Sequence, residues 1–356
     1  MHNPFETEER QAFRDTVRDF VAREIRPHAD AWDEAGEVPW ELHRKAGALG
    51  LFGFGIDECY GGLGFDDAFM RAIYAEEISQ CGATGVPADL GARSISVGPV
   101  HTLGSEEIKQ RVLPGVLSGE RGSSLAITEP SGGSDVANLR TKAVREGGDY
   151  VLNGEKTFIT GGMRSDYFVV AARTGGEGLT GISLFLVEAD APGFSRQPLP
   201  RKMGWWCSDT ASLFFDDCRV PVANMLGPRD RGFLAVMHNF NHERFFMAAQ
   251  CLGMMQACLD DAIAWARERK TFGKRLIEHQ VIRHNWPTCL LASTPRERLF
   301  GRSPGISTRA NCQWPKSARP NSSPAKAWNS VPARPCKSSG LRVICAATAS
   351  SAFTAR

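Results

Sequence analysis

Nowhere among the 356 residues does an apolar run reach the roughly 18 to 20 residues that a helix needs to cross a bilayer. The N-terminus, MHNPFETEERQAFRDTVRDF, is charged and acidic where a secretory leader would be basic and then apolar. Both absences make a cytosolic (cytoplasmic) protein without a membrane span the expectation. Cysteine is present but never paired: the ten residues sit singly, without C-x-x-C, so neither a zinc site nor a disulfide framework is suggested and no metal is expected. Walker A, H-E-x-x-H and G-x-S-x-G are missing too. The segment from Gly176 to Gly181 fits G-x-G-x-x-G, but a strand pattern follows where a dinucleotide fold needs a helix, so it reads as a strand-connecting loop.

What is present is ordinary in bulk and uneven along the chain. With 42% hydrophobic and 23% charged residues, the composition suits a globular protein long enough for two or three domains. The net charge of +2 hides a division: residues 285–356 hold eight Arg and three Lys against one Glu and no Asp, and the residues before them are net acidic. A basic tail on an acidic body ordinarily raises nucleic-acid or anionic-membrane binding. If that charge is an accident of a shifted reading frame, no nucleic-acid partner is expected.

Periodicity divides the chain into four segments. Residues 1–121 read as an all-helical domain, with Phe13, Val17, Phe20, Val21 and Ile25 on one apolar face, Pro27 at its kink or end, and Gly-rich punctuation at Tyr60–Gly64. Residues 122–227 change to a period of two or to short apolar runs, and Asn153-Gly154 between two of them is a hairpin signal; an antiparallel β domain is expected. Residues 228–284 return to helical periodicity from Gly232 to about His284, the start of a helical bundle whose partner helices the sequence does not supply. Residues 285–356 carry eight prolines and no sustained period, yet also three tryptophans and four cysteines, which disordered segments usually lack. The predicted class is therefore α+β multidomain: helical, then β, then an incomplete helical bundle.

Two stretches carry specific chemistry. Leu125-Ala126-Ile127-Thr128-Glu129-Pro130-Ser131-Gly132-Gly133-Ser134-Asp135 combines glycines, which let backbone approach a ligand, with hydroxyls that can bond its oxygens. Asn153-Gly154-Glu155-Lys156-Thr157-Phe158-Ile159-Thr160-Gly161-Gly162 follows. In order and spacing these resemble the two flavin signatures of the acyl-CoA dehydrogenases. Lys202-Met203-Gly204, Ser208-Asp209-Thr210 and Arg219-Val220-Pro221 resemble the close of that family's β domain. Arg269-Lys270-Thr271-Phe272-Gly273-Lys274 with His279-Gln280 resembles its helix end that reaches the FAD of a neighbouring subunit.

The resemblance covers residues 5 to about 284 and implies FAD as cofactor. Its contacts would come from Leu125, Ile127, Thr128, Gly133, Ser134, Phe158, Ile159 and Thr160, and from Arg269, Thr271, Phe272 and Gln280. Phe158, where many relatives carry Trp, would pack on the isoalloxazine, and Thr160 would bond flavin N5. Asn241-His242-Glu243-Arg244 resembles the isovaleryl-CoA and long-chain branches, which place the catalytic base before an Arg in this helix. Glu243 is then the candidate base, and Ser134, Asn241 and Arg244 the candidate substrate contacts. The implied reaction is α,β-desaturation of an acyl-CoA thioester, with electrons passed to electron-transfer flavoprotein by a homotetramer. An inactive remnant of the family, or a related flavin oxidase or monooxygenase, stays open as an alternative.

The tail has a reading of its own. Joining the third base of each codon to the first two of the next permits Leu-Ala-Asp-Met-Leu-Ala-Arg-Ile-Asp-Ala-Thr-Arg from Asn285 onward, an amphipathic helix. The same shift permits Met-Gln-Ile-Phe-Gly-Ala from Cys336. One shifted frame serves the entire tail, so a single lost base after His284 accounts for its composition and its charge.

Overall fold

The computed structural model describes residues 6–283; the predicted tail of 285–356 lies outside them. Helices α1 (Glu8–Phe20), α2 (Ala29–Ala35), α3 (Trp40–Ala48), α4 (Ala68–Ile78), α5 (Gly85–Leu103) and α6 (Glu106–Leu117) come first. Eight strands follow: β1 (Ser123–Ala126), β2 (Lys142–Glu146), β3 (Asp149–Thr160), β4 (Tyr167–Arg173), β5 (Ile182–Glu188), β6 (Phe194–Pro198), β7 (Thr210–Pro221) and β8 (Met225–Leu226). The long helix α7 (Gly232–Glu268) comes next. The succession of helical, sheet and helical regions is the predicted one. Among the described residues, no helix is long and apolar enough to cross a membrane.

Local chemistry sets the helix ends. Thr7 caps α1 by accepting from the Arg10 amide at 3.2 Å, and Glu8 and Glu9 occupy the first turn, where they complement the helix dipole. Ser105 with Glu106 and Glu107 does the same for α6. Past Phe20 the chain widens into a π-helical turn over Val21–Ile25 and leaves helix before Pro27, where the sequence predicted a kink or end.

These elements form two compact units. One comprises residues 28–67 and 85–243 and holds the sheet, ordered β6-β7-β3-β2-β4-β5-β8 with β1 on β4. Pairing is antiparallel except for β1 with β4 and β2 with β4, which are parallel. Its core is aromatic-rich: Tyr150, Phe168, Phe185 and Phe215 pack with Leu152, Ile159 and Leu213. The other unit contains residues 6–27, 68–84 and 244–283. There Arg14 of α1 pairs with Glu76 of α4 at 3.1 Å and with Glu77, while Arg18 reaches Glu77 at 3.2 Å. Gly253 lets α7 close on α4: a Cβ there would sit 2.0 Å from the Glu76 carbonyl oxygen.

Two expectations need correction. Asn153-Gly154 makes no hairpin; it lies inside β3, whose register against β7 slips between Leu152 and Gly154. Gly154 is required because its φ is +145° and a Cβ would lie 2.7 Å from Thr141. The hairpin turn is Gly147-Gly148, between β2 and β3. Helix α7 stops at Glu268 rather than near His284, because Phe272 (φ +51°) and Gly273 (φ +76°) form a two-residue turn joining β9 (Lys270–Thr271) to β10 (Lys274–Arg275).

Candidate functional site

Strand β3 bulges a second time, between Lys156 and Ile159. At this bulge Phe158 adopts φ +58°, a left-handed conformation that a bulky residue occupies only under constraint. The ring is consequently turned out of the sheet and is 62% exposed, while its neighbours Thr157 and Ile159 are buried. A large aromatic held outward on strained backbone offers a face on which a flat ligand can stack.

The two signature stretches meet here. The Thr157 amide donates to the Thr128 carbonyl at 2.9 Å. Beneath that contact lies Lys156, 0% exposed, whose ammonium donates to Glu129 Oε1 at 2.8 Å and to the Ile127 carbonyl at 3.1 Å. Glu129 is buried too, and accepts from the amides of Arg140 (2.6 Å) and Thr141 (2.9 Å) and from the Thr141 hydroxyl (2.7 Å). Burial pushes the Lys156 pKa down to about 8, against the pull of Glu129. Burial alone would raise Glu129, but the Lys156 charge and the Thr141 hydrogen bonds hold it below the ordinary carboxylate value. The pair is therefore ionised at neutral pH and fastens one stretch to the other.

The glycine loop projects from this fastening. Glu129 and Gly132 exchange amide–carbonyl bonds at 3.2 and 3.0 Å, closing a tight turn. A Cβ on Gly132 would meet nothing within 4 Å, and one on Gly133 would lie 3.1 Å from the Thr128 methyl, so this loop offers bare backbone beside a hydroxyl. Gly133 and Ser134 are exposed, and Thr128 and Leu125 are half-buried. The Ile159 side chain lies in the core and that of Ile127 is buried, so only their backbones remain for a ligand. Thr160 is half-buried at the end of β3, its carbonyl accepting from Ser124 Oγ at 2.8 Å.

In the same unit Glu243 is half-buried on α7, with Asn241 exposed. Asn239, one turn earlier, donates from Nδ2 to Glu243 Oε1 and to the Ile95 carbonyl, the latter at 3.1 Å. Arg244 is exposed.

The remaining predicted residues belong to the other unit and form their own group. Arg269 and Gln280 are exposed and Thr271 is half-buried. Phe272, at the tip of the β9–β10 turn, is 97% exposed. His279 Nε2 lies 3.1 Å from the Thr271 carbonyl and 3.3 Å from its hydroxyl, folding the Gln280 segment back beside the turn.

Sequence reasoning missed Lys156, Glu129 and Asn239 as parts of the site, although the first two lie inside the quoted stretches. Lys156 gave no local signal, since Glu155 and Thr157 flank it and its partner Glu129 lies 27 positions earlier. For Asn239, the signal was its four-residue spacing from Glu243.

The chain matches the acyl-CoA dehydrogenase N-terminal domain over residues 7–120, the middle domain over 124–218 and the C-terminal domain over 230–292. It is 39% identical over 279 residues to an acyl-CoA dehydrogenase of Bacillus subtilis, covering 78% of this chain and 73% of that protein. The crystal structure of a probable acyl-CoA dehydrogenase from Mycobacterium abscessus superposes with a TM-score of 0.78 at 43% identity, over 82% of this chain and 77% of that one. A glutaryl-CoA dehydrogenase from Mycobacterium smegmatis, solved in complex with FADH2, gives a TM-score of 0.75 at 29% identity, over 83% and 76%.

Proposed function

The chain belongs to the acyl-CoA dehydrogenase family, and on that premise we propose that it is an FAD-dependent oxidoreductase that removes hydrogen from Cα and Cβ of an acyl-CoA thioester. The observation that carries this reading is Phe158, turned outward at φ +58° and fastened to the glycine loop through Thr157, Lys156 and Glu129. An exposed aromatic face beside bare glycine backbone and the Thr128 hydroxyl fits a flavin ring and its polar edge.

FAD, when bound, supplies the acceptor for the hydride that leaves Cβ. The protein's part is to hold and to deprotonate. Phe158 would support the ring, Thr128, Ser134 and Thr160 would bond its heteroatoms, and the backbones of Leu125, Ile127, Gly133 and Ile159 would line its edge. Glu243 would take the proton from Cα as general base. Ser134, Asn241 and Arg244 would contact the thioester chain. Arg269, Thr271, Phe272 and Gln280 are, in this proposal, offered to the FAD of a neighbouring subunit of a homotetramer, and Phe272 on its exposed turn is suited to such a reach. The Arg269 guanidinium matches a pyrophosphate fork to fork. Electron-transfer flavoprotein is the proposed electron acceptor.

We also propose that residues 285–356 derive from a shifted frame, which explains a basic, proline-rich segment following α7. Sequencing the gene across and beyond codon 285 tests this: the idea holds if the nucleotides read in the shifted frame spell the family's C-terminal helices, and falls if that frame is closed by stop codons or spells no such helices. The activity is tested by incubating the protein, supplied with FAD and an artificial electron acceptor, with short, long and branched acyl-CoA thioesters. At least one should yield a product lighter by two hydrogens. No such product from any of them, with the frame restored past codon 284 as well, removes the dehydrogenase reading.

A further inference from the structure

Helix α5 contains Pro99 in its interior. Proline has no amide hydrogen, so the carbonyl four residues earlier, that of Ile95, loses its intrahelical donor. The structure supplies a substitute from another element: Asn239 Nδ2 on α7 donates to the Ile95 oxygen at 3.1 Å. The second hydrogen of that NH2 group goes to Glu243 Oε1, one turn along the same helix. Both partners are acceptors, which fixes the carboxamide with its nitrogen toward them. Gly98 makes room for it, since a Cβ at that position would lie 2.8 Å from Asn239 Oδ1.

We propose that Asn239 is a positioning residue for the base: its carboxamide, anchored on the carbonyl that Pro99 leaves free, holds the Glu243 carboxylate in its working orientation. The inference rests on the reading of Glu243 as the base. A glutamate has three side-chain torsions and, half-buried, could sample several rotamers. A donor tied to a second helix selects one of them before substrate arrives. Preorganisation of this kind acts on the rate of proton removal and leaves substrate affinity nearly untouched, since the proposed substrate contacts are Ser134, Asn241 and Arg244 and do not include this amide. Gly98, Pro99 and Asn239 thus form one device, in which a helix defect is used to aim a side chain on another helix.

The test uses the full chain reconstituted with FAD and reduced anaerobically by butyryl-, palmitoyl- or isovaleryl-CoA, with flavin reduction read per bound flavin. Asn239→Leu keeps the bulk and removes both donors; it should slow reduction about 10- to 100-fold while the substrate concentration at half-maximal rate changes by less than about twofold. Gly98→Ala, whose Cβ would press on Asn239 Oδ1 while leaving both Nδ2 donors in place, should slow it in the same sense by a smaller factor. Combining Asn239→Leu with Glu243→Gln should add nothing to the loss from Glu243→Gln alone, since the amide acts only through the carboxylate. A purely structural amide would lower stability and leave the rate per flavin unchanged, or would add its loss to that of Glu243→Gln. Either result overturns the proposal while the base reading survives. If Glu243→Gln reduces flavin at the parental rate, or the unsubstituted chain reduces none, the base reading falls and this inference with it.

Discussion

The two groups of proposed flavin contacts are held in opposite ways. Around Phe158 the backbone is strained, but the segment beneath it is clamped by Lys156 and Glu129, both buried and each satisfied by several partners. Around Phe272 the backbone is also left-handed, yet the turn stands in solvent with its ring 97% exposed. The first arrangement is preorganised within one chain. The second leaves its aromatic in solvent, with no buried pair beneath it that corresponds to Lys156 and Glu129 among the described residues. Strain of the same kind thus appears in a locked form at Phe158 and in an open form at Phe272, matching the separate roles proposed for them.

That contrast is most easily broken at Lys156. Lys156→Met leaves the Glu129 carboxylate buried without its counter-charge, which typically costs about 3 to 5 kcal/mol. Phe272→Ala, on the exposed turn, should change stability by less than about 0.5 kcal/mol. Urea unfolding of both variants decides the matter: equal, small losses would show that the buried pair is not the clamp described here. A double variant, Lys156→Met with Glu129→Gln, should recover part of the loss because no uncompensated charge remains.

The same pair gives a pH signature. Glu129 is held below its ordinary value, so the stability it contributes is complete above the unfolded-chain value of about 4.5 and is lost as pH falls through the lower folded value. For Lys156 the folded value is depressed to about 8, so between there and 10.5 the unfolded chain binds more protons and stability rises with pH. The double variant lacks both groups and should lose both slopes. Retention of both in its unfolding profile would assign them to other groups.

A smaller effect sharpens the comparison from the ligand's side. Phe158→Gly removes the left-handed penalty and should raise stability by up to about 1 kcal/mol while weakening retention of FAD. Isothermal titration with FAD and thermal unfolding give the two readings. If FAD is retained as tightly as before, Phe158 is not a ring support.

Much of this was legible in the sequence, because helical and two-residue periods report which faces are buried and the two signature stretches are continuous. What escaped depends on long-range context. Asn153-Gly154 is a turn signal by local chemistry, but the close approach of Thr141 uses the same glycine for a bulge. Lys156 reads as a solvent-facing residue until Glu129, 27 positions earlier, is folded beside it. The end of α7 was hidden because Phe272 takes a conformation that glycine or asparagine usually supplies. Pro99 was visible, but the side chain that answers it lies on α7, beyond the whole sheet in sequence.

Two proposed roles carry the chemistry: the clamped stretch around Phe158 as the flavin support, and Glu243 as the base that deprotonates the acyl-CoA. Anaerobic addition of acyl-CoA thioesters to the FAD-loaded protein tests both roles at once. Absorbance near 450 nm should bleach with at least one thioester, and Glu243→Gln should slow this about 10²- to 10⁴-fold with FAD still bound. Unbleached flavin with every thioester, or bleaching in Glu243→Gln at the parental rate, would contradict them.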